Sequence, residues 1–99
     1  MPPLATQSEI QSFLARNQNW SGSGSGLCSQ FTAPSFVVAI DLVNSVAVIA
    51  EKIDHHPDID IRWNTVLFAV STHSAGGVTS LDFELATAID SLARELFGS

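Results

Sequence analysis

A chain of 99 residues, 45% hydrophobic and 14% charged, has the composition of a folded domain with a modest core, and a single domain over residues 1–99 is the expectation. A net charge of −6, with the four cations Arg16, Lys52, Arg62 and Arg94 scattered, argues against a surface built to meet nucleic-acid phosphates or an anionic membrane. Its one cysteine, Cys28, allows no intrachain disulfide and no CxxC metal pair, and the first ten residues carry no basic and apolar leader, so a soluble cytoplasmic protein is expected.

The first element predicted is a short helix over Thr6 to Asn17, where Ile10, Phe13 and Leu14 share one face and Thr6 with Glu9 has the spacing of a capping box. The repeat SGSGSG, Ser21 to Gly26, reads as a long mobile connection between two short strands, one near Trp20 and one over Leu27 to Thr32. A phosphate-binding loop would want a following lysine or a strand–loop–helix context, and neither is present. Pro34 to Lys52 is rich in Val and Ile but too long for an ordinary strand. Phe36, Ile40, Val43, Ala47 and Ala50 fall on a helical stripe, so a helix is expected, with so little polar face that a second surface should cover it. The same stretch, interrupted by Asp41, Asn44 and Ser45, is too short and too polar to span a bilayer.

Asp58 to Trp63 alternates, with Ile59, Ile61 and Trp63 on one face and Asp60 and Arg62 on the other, as a half-buried strand does. Thr65 to His73 is apolar on both faces through its middle and reads as a central strand. Ala75-Gly76-Gly77 marks a turn, and Thr79 to Leu96 a final helix with the stripe Leu81, Leu85, Ile89, Leu92 and Leu96. Thr79 and Asp82 suit its N-terminus and Gly98 its end. The expected fold is α+β: a four-stranded antiparallel sheet with three helices on one face, in the order α-β-β-α-β-β-α.

Only three histidines occur, and two are adjacent and followed by proline, in EKIDHHPDIDIRW, Glu51 to Trp63. Histidine is the side chain whose unperturbed pKa, roughly 6.5, lies nearest neutrality, so proton transfer is the first chemistry to consider. Pro57 biases His56 toward an extended conformation. Neighbouring side chains of an extended segment point apart, so both can serve one site only if the backbone turns between a helix end near Asp54 and a strand start near Asp58. A metal site is the rival, since DHHPDID and His73 offer six ligands. Adjacent ligands strain to reach one ion, however, and no His-x-x-x-His or Cys pair occurs.

The run AEKIDHHPDI followed by STHSAGGVTSLDFELA resembles the signature of the pterin-4a-carbinolamine dehydratases, in detail from Phe31 to about Ala93 and more loosely over Thr6 to Trp20. The departure is the glycine-rich SGSGSG. The resemblance implies the α+β layout above. It also implies dehydration of a 4a-hydroxytetrahydropterin to quinonoid dihydropterin and water, without metal or organic cofactor, and assembly as a homodimer or homotetramer. Hydroxide is a poor leaving group, so the C4a hydroxyl needs a proton as it departs, and a proton must also leave N5. Taken with the resemblance, His55 and His73 are the expected proton-transfer residues and His56 a catalytic residue that holds the hydroxyl or the ring.

Four further residues belong to the expected site. Glu51 would orient or charge-stabilise a histidine, Pro57 would set the turn, Trp63 would contact the pterin, and Asp82 would reach the site from its helix N-terminus. Each also has a plainer reading: a solvated helix residue, a junction proline, a core aromatic, a helix-capping carboxylate. The alternative function is non-enzymatic, as a transcription-factor dimerisation cofactor or an assembly factor, roles the resemblance also covers.

Overall fold

A computed structural model describes residues 2–98. Helix α1, Gln7–Arg16, starts at Thr6, whose side chain accepts from the Glu9 amide while the Glu9 carboxylate accepts from the Thr6 amide, so the expected capping box is formed. Ile10 and Phe13 are its buried residues. Strands β1, Trp20–Ser23, and β2, Gly26–Thr32, form an antiparallel hairpin. Helix α2, Phe36–Ile53, follows, capped by the Ser35 hydroxyl accepting from the Val38 amide. Strands β3, Asp58–Arg62, and β4, Thr65–Val70, form the second hairpin; a single 3-10 turn over His73–Ala75 then leads to helix α3, Ser80–Phe97. The sheet order β1-β2-β4-β3 makes β4 central, as its two-sided apolarity predicts, and every pairing is antiparallel. The three helices and the open four-stranded sheet occur in the expected order.

Period-two alternation sets the two faces of the sheet. Trp20, Leu27, Phe31, Val66, Phe68 and Val70 point into the core, whereas Cys28, Ala69, Asp58 and Asp60 lie on the uncovered face. Trp20, Phe31 and Phe68 pack edge to face, with ring centroids 6.5 and 5.9 Å apart. Trp20 also ties the sheet to α3: its indole N–H donates to Asp90 Oδ1 at 2.9 Å, beside the Asn19 side-chain amide at 2.8 Å. That satisfies a buried carboxylate which the apolar stripe of α3 did not disclose.

Four expectations need correction. The repeat Ser21 to Gly26 is not a long connection: Ser21, Gly22 and Ser23 pair with Cys28, Leu27 and Gly26, leaving Gly24-Ser25 as a two-residue turn. Gly22 has φ 137°, and a Cβ there would lie 2.1 Å from the Gly26 carbonyl oxygen, so glycine serves geometry here rather than slack. The stripe of α2 is rotated by about one residue: Ala39, Leu42, Val46 and Ala50 are buried, while Phe36 is 50% and Val37 and Val48 each 67% exposed. A segment apolar nearly all round offers several overlapping stripes, and packing against α3 selects the one with small residues. In α3, Leu85 and Ile89 are buried as expected, but Ala86 and Ala93 complete the face and Leu96 is 38% exposed. Finally, β3 is an edge strand that stops at Arg62, with Ile59 exposed and only Ile61 partly covered. Trp63 leaves the alternation because the two-residue turn Trp63-Asn64 puts it at φ 54°, the left-handed region such turns require.

The β1–β2 tip is fastened to the segment after β4. The Val78 amide donates to the Gly24 carbonyl at 2.9 Å, the Ser71 hydroxyl donates to the Ser25 carbonyl at 2.9 Å, and a Cβ on Gly77 would fall 2.4 Å from the Gly24 oxygen. Gly77→Ala is therefore expected to lower stability by about 1–3 kcal/mol, seen as a loss of several degrees in Tm. An unchanged Tm would mean that the tip yields freely.

Candidate functional site

The end of α2 makes the turn that the HHP sequence demands. Asp54 adopts the left-handed conformation, φ 52° and ψ 46°, and the His55 amide reaches back to the Ala50 carbonyl at 3.0 Å. This six-to-one bond beside a left-handed residue is a Schellman ending, with aspartate where glycine is more usual. The chain leaves the helix abruptly, so His55 turns inward and is buried while His56 remains exposed.

His55 Nε2 lies 2.6 Å from Asp82 Oδ1. Asp82 is fully buried in the first turn of α3, so this contact joins the end of one helix to the start of another. The second carboxylate oxygen accepts from the Thr79 amide at 2.9 Å and from the Thr72 hydroxyl at 2.8 Å. Thr72 is in turn 2.8 Å from the hydroxyl of Thr79, the N-cap residue of α3. Asp82 thus closes the capping box and contacts a histidine with the same carboxylate.

Thr72 and His73 reach opposite sides for a simple reason. Val66, Phe68 and Val70 face the core at period two, and Thr72 continues that register with a buried side chain. His73 follows on the opposite side, exposed at the start of the 3-10 turn. The turn is held by the Ala75 and Gly76 amides donating to the Thr72 carbonyl, each at 3.0 Å, with Gly76 left-handed at φ 82°. His73 lines a surface cavity of about 340 Å³ together with Ser71, Asp58, Cys28, Ser25 and Gly26. Its volume is within the usual range for small-molecule sites, about 300–1,000 Å³.

The expected site residues are therefore only partly brought together. His55 and Asp82 are in direct contact, and His73 is covalently next to Thr72, which bonds the same carboxylate. His56 pairs on the surface with Glu51, Nε2 to Oε2 at 2.5 Å, so the histidine that Glu51 meets is the exposed one. Neither His55 nor His56 lines the cavity beside His73. Pro57 sits at the junction between α2 and β3. Trp63 is 76% exposed at the far end of β3, about 16 Å of extended strand from Asp58, so within one chain it is not part of this corner. The ligands considered for a metal do not converge: no three His, Cys, Asp or Glu side chains cluster suitably among the described residues.

Sequence reasoning passed over Thr72 and Ser71, and read Thr79 only as a helix cap and Asp58 only as a strand start and a possible metal ligand. A signal for Thr72 existed, since a threonine that extends a buried alternation must find a hydrogen-bond partner. Ser25 and Gly26, at the tip of the first hairpin, form part of the cavity wall.

A small open-faced antiparallel sheet backed by three helices, with a buried His–Asp pair beside an exposed histidine, defines a fold and corner that can be compared with known proteins. The family described as Pterin 4 alpha carbinolamine dehydratase matches residues 3–92, and the chain belongs to that family. A protein of Nocardia farcinica, provisionally named a pterin-4-alpha-carbinolamine dehydratase, is 50% identical over 91 residues, 92% of this chain and 96% of its own length. One of Roseiflexus castenholzii with the same provisional name is 45% identical over 92 residues, 93% of this chain and 99% of its own. Among solved structures, a transcriptional coactivator/pterin dehydratase from Brucella melitensis superposes with TM-score 0.85 at 31% identity, covering 90% of this chain and 97% of that one. A pterin dehydratase-like protein identified as a RuBisCO assembly factor in the alpha-carboxysome superposes with TM-score 0.62 at 20% identity, covering 75% of this chain and 86% of that one, a likeness of fold.

Proposed function

We propose that this protein dehydrates a 4a-hydroxytetrahydropterin to the quinonoid dihydropterin and water, by acid–base catalysis from its histidines. The observation that carries this reading is the buried His55–Asp82 contact, whose carboxylate also bonds Thr72, the residue before His73 and its cavity, in a chain of the dehydratase family. In the reaction the C4a–O bond breaks and the oxygen leaves as water, taking a proton from an acid. The N5–H proton passes to a base as the C4a=N5 double bond forms. His55 and His73 are the proton-transfer pair, and His56, paired with Glu51, contacts the hydroxyl or the ring. Asp82 acts through His55, which it orients, and Pro57 sets the junction from which both adjacent histidines diverge. No metal or organic cofactor enters the scheme. The test is direct: purified protein should accelerate loss of the 4a-hydroxyl from an enzymatically generated carbinolamine above the buffer rate. No acceleration would leave a binding role as the reading to pursue.

We also propose that the protein works as a homo-oligomer, a dimer or a tetramer. Phe36, Val37 and Val48 leave α2 with an exposed apolar face that a chain of this size does not cover itself. Among the described residues no helix is long and apolar enough to cross a membrane. The four scattered cations offer no basic face, and direct contact with nucleic acid is not part of the proposal. Sedimentation at micromolar concentration should give a species of at least twice 10.5 kDa. A stable monomer would refute the assembly.

A further inference from the structure

We propose that Thr72 and Thr79 are positioning residues, whose hydroxyls fix which ring nitrogen of His55 faces the reactant. The inference rests on the dehydratase reading for its effect on rate, but not for its effect on the ring.

The direction of each hydrogen bond in the buried network can be worked out. Thr79 Oγ1 accepts the Leu81 amide at 3.2 Å, so its own hydrogen is free to point at Thr72 Oγ1, 2.8 Å away. Thr72 accepts that hydrogen and gives its own to Asp82 Oδ2 at 2.8 Å. The same oxygen accepts the Thr79 amide at 2.9 Å. Each hydroxyl donates once, and the chain of donors ends on the carboxylate, which has donors on Oδ2 from two sides. A carboxylate only accepts, on either oxygen, and the donors on Oδ2 hold it with Oδ1 turned to the histidine. Oδ1 faces His55 Nε2 at 2.6 Å, so the hydrogen between them belongs to Nε2. The neutral ring is then the Nε2–H tautomer, and Nδ1 carries the free lone pair. No side-chain nitrogen or oxygen is buried without a partner among the described residues, so Nδ1, which bonds to no other group here, opens to solvent. It is the nitrogen available to exchange a proton with a bound molecule.

Thr72 is the sensitive member of this chain. It is buried, it alone joins both the carboxylate and the second hydroxyl, and it is the residue next to His73. Without its hydroxyl, Asp82 Oδ2 keeps only the Thr79 amide, and the Thr79 hydroxyl loses its acceptor and can turn to compete for the carboxylate. The carboxylate, held from one side fewer, can then rotate, and the ring it holds is no longer fixed in one orientation, so it spends part of its time flipped, with Nδ1 toward Asp82 and Nε2 outward.

The experiment pairs Thr72→Val, which keeps the shape and removes the hydroxyl, with Thr72→Ser, which keeps the hydroxyl and removes a methyl. In 15N-histidine-labelled protein, ring nitrogen shifts report the tautomer whether or not the protein turns over, and His55→Gln assigns the His55 signals. In its neutral form the wild-type His55 ring should appear as Nε2–H, Thr72→Ser should match it, and Thr72→Val should show a mixture. In turnover, Thr72→Val should lose about tenfold in kcat with KM changed by less than about twofold, and Thr72→Ser should recover most of that loss. A wild-type ring in the Nδ1–H form overturns the proposal, as does a Thr72→Val variant with unaltered ring shifts and kcat. A Thr72→Ser variant as impaired as Thr72→Val, with both less stable, assigns Thr72 to packing and overturns it too. If the wild type has no dehydratase activity but the ring shifts behave as described, the dehydratase reading fails while the positioning stands.

Discussion

Replacing His55 by alanine is expected to reduce turnover by about 10²–10⁴-fold, or about 3–5 kcal/mol of barrier, the usual contribution of a positioned acid–base group. The fold should survive, though weakened. Asp82 would keep the Thr79 amide and the Thr72 hydroxyl but lose the donor on Oδ1, and a buried acceptor left unpaired costs about 1–3 kcal/mol. His55→Gln removes that ambiguity, because its side-chain amide can still donate to Asp82 while lacking a titrating ring. If His55→Gln is folded and as slow as His55→Ala, the loss belongs to proton transfer. His73→Ala should cost a comparable or smaller factor, since its position on an open cavity lets water substitute in part. His56→Ala, on the surface with Glu51, should act mainly through KM. Full activity in a folded His55 variant would remove His55 from the mechanism and leave His73 as the candidate.

What could be read ahead of the structure divides along physical lines. The order of elements was legible because helix caps and turn residues are local: Thr6 with Glu9 and Thr79 with Asp82 each form the bonds that their spacing promises. The central place of β4 was legible in its apolar run, although its burial still alternates because one face of the sheet is uncovered. The buried stripe of α2 was not. Phe36, Val37 and Val48 are as apolar as the residues actually buried, and only the packing partner decides which face turns inward. The hairpin tip was misjudged because composition alone cannot distinguish glycines that give slack from glycines that admit a close backbone approach, as Gly22 and Gly77 do. In the site, the histidines could be named from their pattern, but their unequal environments could not. One residue of chain separates a ring held by a buried carboxylate from a ring in solvent, and that contrast is set by the left-handed Asp54, which no periodicity signals.

Asp82 is where fold and chemistry are hardest to separate, and two substitutions should divide them. Asp82→Ala removes the N3 partner of the capping box and strands the Thr72 hydroxyl, the Thr79 amide and His55 Nε2 in the interior. The lost cap, which includes the Thr79 amide, costs about 1 kcal/mol, and each of the other two buried groups left unpaired about 1–3 kcal/mol, so about 3 kcal/mol is a conservative total. In a domain of this size that lowers Tm by more than 10 °C, roughly. Asp82→Asn should behave differently. Its amide oxygen can still accept from Thr72 and Thr79, so the cap and most of the stability remain. The atom facing His55 is then an N–H donor, and Nε2 must accept. The ring is forced into the Nδ1–H tautomer, with its lone pair turned inward, away from any substrate. Asp82→Asn is therefore expected to retain a near-native Tm yet lose about 10²–10⁴-fold in kcat, the scale of a misassigned histidine tautomer elsewhere. Thermal melts and single-turnover rates on the two variants would check this together. If Asp82→Asn is stable and fully active, the carboxylate serves the fold alone. The His55 ring must then find its orientation from the backbone turn at Asp54.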